Sequence, residues 1–300
     1  MSAIPAPERL GMIFDESHSA YHASSAFGSH DLDDLDPYPL LFRKRHVEKS
    51  IPPDADTPAK LFGRYFHALA LEGEAVADAL FTTIPNDAPD DFRRFRNSNK
   101  KSAATLESIA WWDDFDARRL GKEIITQSQF DLAWRMVKSI REKPGVAALF
   151  SQGKPEVTFR HKMAAFTLQC RCDWFEATPT GGGPPLIIDV KTVETLGDFD
   201  KQFLNLGYYR QAAFYQLVVA AVMKLEKFEP QHIFVVIEKN ETFQTAVRIA
   251  DAESLDIGRR EVLRSLAKLK DCFDRNDWPG EPDEPRSVSL PEWKARQSLA

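Results

Sequence analysis

Apolar positions recur at helical spacing in the first half of the chain and switch to strict alternation near the middle. Phe62, Tyr65, Phe66 and Leu69 stand at i, i+3, i+4 and i+7, which predicts a helix with one buried face. Thr57-Pro58 supplies its start, with threonine as cap and proline in the first turn. Helical patterns return over about 102–120 and 128–141, and Pro144-Gly145 breaks the second. Residues 1–57, rich in Asp, Pro and Ser, read as an irregular N-terminal arm with one or two short helices, packing on the core. The polar, proline-bearing stretch 82–100 reads as a mobile basic loop.

In the middle section Val157 and Phe159 alternate with polar neighbours between Glu156 and His161. Phe166, Leu168, Cys170, Cys172 and Trp174 then alternate with Thr167, Gln169, Arg171 and Asp173. Gly181-Gly182-Gly183-Pro184-Pro185 is a turn, and Leu186–Lys191 a short apolar strand. Together they predict a three-stranded antiparallel meander. A helix from about Leu206 to Leu225, apolar nearly all round, is expected to be buried. Strands over 232–238 and 242–249 and an amphipathic helix over 252–274 follow, then an extended tail over 277–300. This order predicts an α/β (α+β) fold, with a central mixed sheet flanked by helices and a helical N-terminal region. Residues 58–300 form one domain in this reading, with 1–57 as its arm.

At 300 residues the chain is long enough for a sizeable core, and 43% hydrophobic with 28% charged residues is ordinary for a soluble globular protein. No apolar run is long enough to span a bilayer, and Met1–Glu8 does not read as a secretory signal, so a cytoplasmic setting without a membrane is expected. Three cysteines, Cys170, Cys172 and Cys272, make no disulfide framework and fall short of an iron–sulfur ligand set. A net charge of −6 argues against a protein that coats nucleic acid but leaves room for an enzyme acting on it, since phosphate contact needs only local basic patches. Arg43-Lys44-Arg45-His46 and the run from Arg93 to Lys101 are two candidates, the alternative being solvated charge.

Ile188-Asp189-Val190-Lys191-Thr192 is the strongest local signal. On a strand Asp189 and Lys191 project together, and buried charges are costly without partners. A metal on the carboxylate, with the ammonium beside an attacking water, would satisfy both; a cross-strand ion pair on a solvent face is the plainer alternative. A hairpin turning near 181–185 would set Asp173 beside Asp189. Two carboxylates held that close cannot both ionise without a cation between them. Hard oxygen ligands favour Mg²⁺, or Mn²⁺, over zinc. Glu156 is available as a third carboxylate. Gly63 and His67 share a helix face, and a glycine there would let another element approach within reach of the histidine. Tyr208, Gln211 and Tyr215 share a face of the buried helix and need polar partners, from the backbone or from a substrate.

Taken in order, Gly63-x3-His67, Glu156, Asp173, Asp189-x-Lys191 and Gln211-x3-Tyr215 resemble the RecB-type PD-(D/E)xK nucleases. More narrowly, Leu61–Glu72, Ile188–Thr192, Tyr208–Tyr215 and Leu290-Pro291-Glu292-Trp293 are similar to the RecE-like exodeoxyribonuclease VIII family of phages and prophages. The resemblance covers roughly residues 20–294 and implies a restriction-endonuclease-like core. It implies Mg²⁺-dependent 5′→3′ digestion of double-stranded DNA ends, leaving 3′ tails for a single-strand annealing protein, by a ring-shaped homo-oligomer. On the matching positions it implies metal ligation by His67, Asp173, Asp189 and the Val190 carbonyl. Lys191, Asp189, Asp173 and Glu156 become catalytic, and Gln211, Tyr215, Tyr208 and Arg64 substrate-binding. The Arg171-Cys172 dipeptide stands before Asp173 where the motif's name has proline. An endonuclease, a repair or defence nuclease of the same fold, and a non-catalytic DNA-binding protein are the competing readings; no G-x-S-x-G or G-x-x-x-x-G-K-[ST] supports acyl- or phosphoryl-transfer chemistry.

Overall fold

The computed structural model describes residues 9–179, 181–225, 230–285 and 287–290. Of the segment Leu290–Trp293, all but Leu290 lies outside the described residues, as does Met1–Glu8. The chain opens with strand β1 (Gly11–Ile13) and the short helices α1 (His18–Ala23) and α2 (Pro39–Phe42). Helix α3 (Pro58–His67) starts as its sequence predicts: the Thr57 side chain accepts from Lys60 N–H and Pro58 occupies the first turn. It runs on through a wider π-helical turn over 68–72 into α4 (Glu74–Leu80). Strand β2 (Phe81–Thr83), α5 (Ala103–Arg118), β3 (Glu123–Ile125), α6 (Gln127–Glu142) and α7 (Pro144–Ala147) complete the helical half, with β2 and β3 paired in parallel.

Strands β4 (Lys154–Met163), β5 (Phe166–Glu176) and β6 (Leu186–Val193) form the expected antiparallel meander. Helices α8 (Leu196–Asn205) and α9 (Tyr208–Met223) then cross over to β7 (Gln231–Glu238), which pairs with β6 in parallel. Strand β8 (Thr245–Ile249) and helix α10 (Ala252–Arg275) close the fold. Among the described residues the main sheet has six strands in the order β1-β4-β5-β6-β7-β8, and only the β6–β7 pair is parallel. The fold is the mixed α/β architecture expected. No helix among the described residues is long and apolar enough to cross a membrane.

Two apolar layers sandwich the sheet. On one face, α3 and α6 bury Phe62, Phe66, Met136 and Val137 against Ile188, Val190 and Val235. On the other, α9 and α10 bury Phe214, Val218, Leu266 and Leu269 against Phe159, Leu168, Cys170 and Ile187. The side chain of β6 at each position therefore decides which layer it joins, and the Asp189 side projects toward α9.

Four local expectations are corrected. The N-terminal segment is less irregular than its composition suggests: β1 pairs with β4, and Leu32, Leu35 and Phe42 are fully buried in the α9–α10 layer. A three-residue strand is too short to leave an alternation signal. Helix α8 was not anticipated, because Asp198 and Asp200 interrupt its apolar pattern. Its start is nonetheless written locally: the Asp198 carboxylate accepts from Thr195 N–H (3.2 Å) and hydroxyl (2.8 Å). Gly207, at φ 64°, makes the left-handed turn that separates α8 from α9, so the buried helix begins at Tyr208 and not at Leu206. The 82–100 stretch is tied to α5, with Trp112 Nε1 donating to Pro89 O (3.0 Å) and Arg93 pairing with Asp91 (2.6 Å) and Asp116 (2.5 Å).

Candidate metal centre

The meander is regular until it reaches Asp173. Trp174, Phe175 and Glu176 pair with Ile188, Ile187 and Leu186. The same register continued would set Asp173 opposite Asp189, but the ladder stops there. Asp173 Oδ2 instead accepts from Val190 N–H at 2.6 Å, so a side chain stands where a backbone bond would be. The strand phase breaks at the same point. Cys172 and Phe175 both pack in the α9–α10 layer although three residues apart, while Trp174 packs in the α3–α6 layer against Phe150. This corrects the placing of Trp174 on the Cys172 face. Across the ladder, Glu156 adopts φ 52° between the paired residues Pro155 and Val157. A non-glycine residue in the left-handed region of a strand is strained, and such strain gathers at functional sites.

These distortions open a fork between β5 and β6 into which α3 delivers His67. Its Nε2 lies 3.1 Å from the Val190 carbonyl oxygen, and its Nδ1 lies 3.6 Å from Asp173 Oδ1. His67, Glu156 and Asp173 each offer one ligand atom within 4.8 Å of the others. Asp189 is not in that trio. Its carboxylate turns toward α9, where Lys191 Nζ lies 2.8 Å from Oδ1. That contact lacks hydrogen-bond alignment, so the buried Oδ1 has no hydrogen-bond partner among the described residues.

The electrostatics match the crowding. Burial pushes the Asp173 carboxyl up to about 7; the His67 charge opposes this, and Asp189 and Glu156 raise it further. Burial works against the Lys191 charge, but Asp189 and Asp173 outweigh it, and the ammonium is held above the ordinary lysine value. Lys191 also donates to Gln211 Oε1 (3.3 Å), Gln211 Nε2 donates to the Tyr215 hydroxyl (3.3 Å), and the Tyr208 ring centroid lies 4.5 Å from Nζ. Gln211, Tyr215 and Tyr208, expected to touch substrate, are thus the cradle of the lysine.

Three further expectations need revision. No described atom lies within 4 Å of where a Gly63 Cβ would stand, so no protein element uses that glycine to approach. Arg64 is engaged by Asp56 (2.5 Å) and by Glu123 (3.2 Å from Nε), so it is not a free cation. The first basic patch is largely neutralised, and the second in part. Arg43 and Lys44 pair with Glu48 (2.7 and 2.8 Å), Arg45 and His46 with Asp34 (2.8 and 2.7 Å), and Arg96 with Asp113.

A divalent cation fits these residues. Hard oxygen donors and one imidazole converge, burial and neighbouring carboxylates push one carboxyl toward protonation, and a buried carboxylate oxygen has unused capacity. A family model for a PDDEXK-like domain of unknown function (DUF3799) matches residues 43–288. The chain belongs to this family. Two solved structures are similar to this chain. One, from Eubacterium rectale and named "putative exonuclease", aligns over 90% of this chain and 96% of its own, with 13% identity and a TM-score of 0.50. Another, of SSO0001, aligns over 69% of this chain and 84% of its own at 14% identity, with a TM-score of 0.29. No curated protein matches.

Within this PDDEXK-like domain the sequence reading passed over several neighbours of the centre. Arg171 pairs with Glu156 and donates to Glu16 O (2.9 Å). Its position two residues before Asp173, in the same strand phase, is the signal that would have found it. His18 and His22 of α1 face each other, Nε2 to Nε2, at 3.1 Å, and the charges of Arg171, Arg64 and Glu156 all reach His18. Their i, i+4 spacing is visible in the sequence; their nearness to residues 156 and 171 is not.

Proposed function

We propose that this chain is a divalent-metal-dependent deoxyribonuclease, a 5′→3′ exonuclease on double-stranded DNA ends that uses Mg²⁺, with Mn²⁺ as substitute. The single observation that carries the reading is the convergence of His67, Glu156, Asp173 and the Val190 backbone at the β5–β6 fork, with Asp189 and Lys191 on its other side. An ion pair on a solvent face would need none of these. Asp173 and Asp189 would hold the cation through carboxylate oxygens, with the Val190 carbonyl and a His67 ring nitrogen as further ligands. A cation held there would supply Lewis-acid chemistry, polarising a phosphoryl oxygen and lowering the pKa of a coordinated water. Lys191, fixed by Asp189, Gln211 and Tyr208, orients the attacking water and offsets charge as the phosphate becomes pentacoordinate. Glu156, held by Arg171, positions a second water or a second ion. Tyr215 locks Gln211 so that Lys191 keeps one direction.

The likeness to RecE-type enzymes supports the polarity, a ring-shaped oligomer, a single-strand annealing protein as partner and a cytoplasmic setting. Linear duplex carrying a label at either the 5′ or the 3′ end, set against closed circular plasmid, tests the activity. Early release of the 5′ label with an untouched circle is expected; nicking of the circle would replace the exonuclease with an endonuclease. Lys191→Ala is expected to lower the cleavage rate by on the order of 10²–10³-fold with little change in DNA affinity. Asp189→Ala is expected to abolish Mn²⁺ binding in isothermal titration, and unchanged binding would remove Asp189 from the ligand set.

A further inference from the structure

Helix α3 carries Lys60, Gly63 and His67 on one face, three and four residues apart. At about 1.5 Å rise per residue, Lys60 lies roughly 10 Å along the helix from His67 at the metal centre. Between them Gly63 leaves that face bare, with no described atom within 4 Å of a built Cβ. Its φ is not in the left-handed region, so the backbone does not require glycine there. In a helix interior glycine costs about 1 kcal/mol relative to alanine. The space above it is therefore empty without a folding reason.

Lys60, at the start of that face, also lines a cleft of about 480 Å³ between α3 and the N-terminal segment, with His22, Lys49, Arg45 and His46 in its walls and buried Gln169 among its lining. Its acids are largely matched: Asp34 is taken by Arg45 and His46, and Asp31 faces His46 at 3.4 Å. Asp54 lies 4.0 Å from Arg45. Lys49 and Lys60, by contrast, make no ion pair and no side-chain hydrogen bond among the described residues. Lys49 stands at φ 53° where the chain leaves the turn over 43–47. His22, in the cleft wall, bonds to His18.

We propose that this face and cleft form the track of one DNA strand next to the scissile phosphate, with Gly63 leaving room for the sugar–phosphate backbone and Lys60 and Lys49 binding two phosphates beyond it. The proposal rests on the nuclease reading and adds to it a subsite that neither basic patch supplies. A cation about 10 Å from the centre along the helix is placed to meet a phosphate close to the scissile one. Phosphate contacts of this kind hold the strand without reading its bases.

The test is binding of a fluorescent single-stranded oligodeoxynucleotide to the full chain in Ca²⁺, by anisotropy, across a salt series. Each phosphate contact contributes about 0.7 to the slope of log K against log salt on a single strand. The pair Lys49→Gln and Lys60→Gln is expected to lower that slope by about 1.4, while Lys270→Gln on α10 leaves it as in the wild type. A Cβ at position 63 meets no described atom outside its own helix, so Gly63→Gln and Gly63→Glu are expected to keep the fold, which circular dichroism checks. Both are expected to weaken binding, the glutamate by on the order of tenfold more than the glutamine. An unchanged slope in the double lysine variant, or wild-type affinity in Gly63→Glu, overturns the track. Hydrolysis of a linear duplex by the wild type in Mn²⁺ is read separately: its absence would count against the nuclease reading, whereas hydrolysis with an unaltered slope removes only the track.

Discussion

The two ends of β5 handle buried polarity in opposite ways. Near its start, Gln169 accepts from Arg160 Nε (3.0 Å), and Arg160 makes a two-pronged pair with Glu16 at 2.7 and 2.9 Å. The N-terminal segment seals this network, with Gln169 Nε2 donating to Tyr21 O and the Gln169 backbone bonding Phe27 O. Charges there are matched and the ladder is regular. At its end, Asp173 is pushed up to about 7, Asp189 Oδ1 has no hydrogen bond among the described residues, Glu156 is strained and the ladder stops. Polar groups of similar type thus serve two purposes on one strand. Where every donor and acceptor is matched, they fix the fold; where carboxylates crowd and an acceptor is left over, they describe a ligand.

Breaking the matched end should cost the most stability. Glu16→Ala removes the two-pronged pair from buried Arg160, and an expected loss of about 3–5 kcal/mol follows from breaking a buried pair on one side. Urea denaturation measures it, and a loss below about 1 kcal/mol would show that the network is not the seal described. His232 sharpens the contrast from the other end. It is buried on β7 beside Tyr215 and Phe234, with neither ring nitrogen hydrogen-bonded among the described residues. Burial lowers its pKa to about 4; the Asp189 charge raises it and Lys191 lowers it further. Because the folded value lies below the unfolded value near 6.5, the unfolded chain binds the proton more readily. The stability is present in full above about 6.5 and is lost as pH falls toward 4, by up to about 3 kcal/mol. His232→Phe should flatten that limb between pH 7 and pH 5; an unaltered pH profile would sink the assignment. The metal sharpens it last. Mn²⁺ at about a hundred times its Kd should stabilise the folded chain by about 2.7 kcal/mol, seen as a raised Tm. Asp189→Ala should lose most of that shift and Glu16→Ala should keep it. Equal shifts in both variants would erase the distinction between the two ends.

The legible part of this protein is what local chemistry writes. Thr57-Pro58 starts α3, the alternation from Phe166 to Cys172 makes β5, and the glycine–proline turn after it folds β6 back, because caps, periods and turns act over a few residues. The candidate residues were visible for the same reason, as charged or polar types placed where a regular element would bury them. Asp189 and Lys191 interrupt an apolar strand, and Tyr208, Gln211 and Tyr215 mark an apolar helix.

Tertiary contact decided which of them face each other. Strand alternation would have placed Asp173 and Trp174 on fixed faces; the break in phase turned Trp174 to one layer and left Asp173 bonding Val190 N–H. Spacing could not show that Arg64 spends its charge on Asp56 and Glu123, or that the basic patches meet their own acids, since those partners are distant in sequence or come from neighbouring turns. Nor could it show that Gly63 looks onto open space. From its amino acids alone the chain settled its elements and its stock of ligands, because those depend on short-range sterics and hydrogen bonding. The fork, the lysine cradle and the cleft exist only once the two layers and the N-terminal segment close on the sheet, because burial and charge pairing depend on everything that surrounds a group.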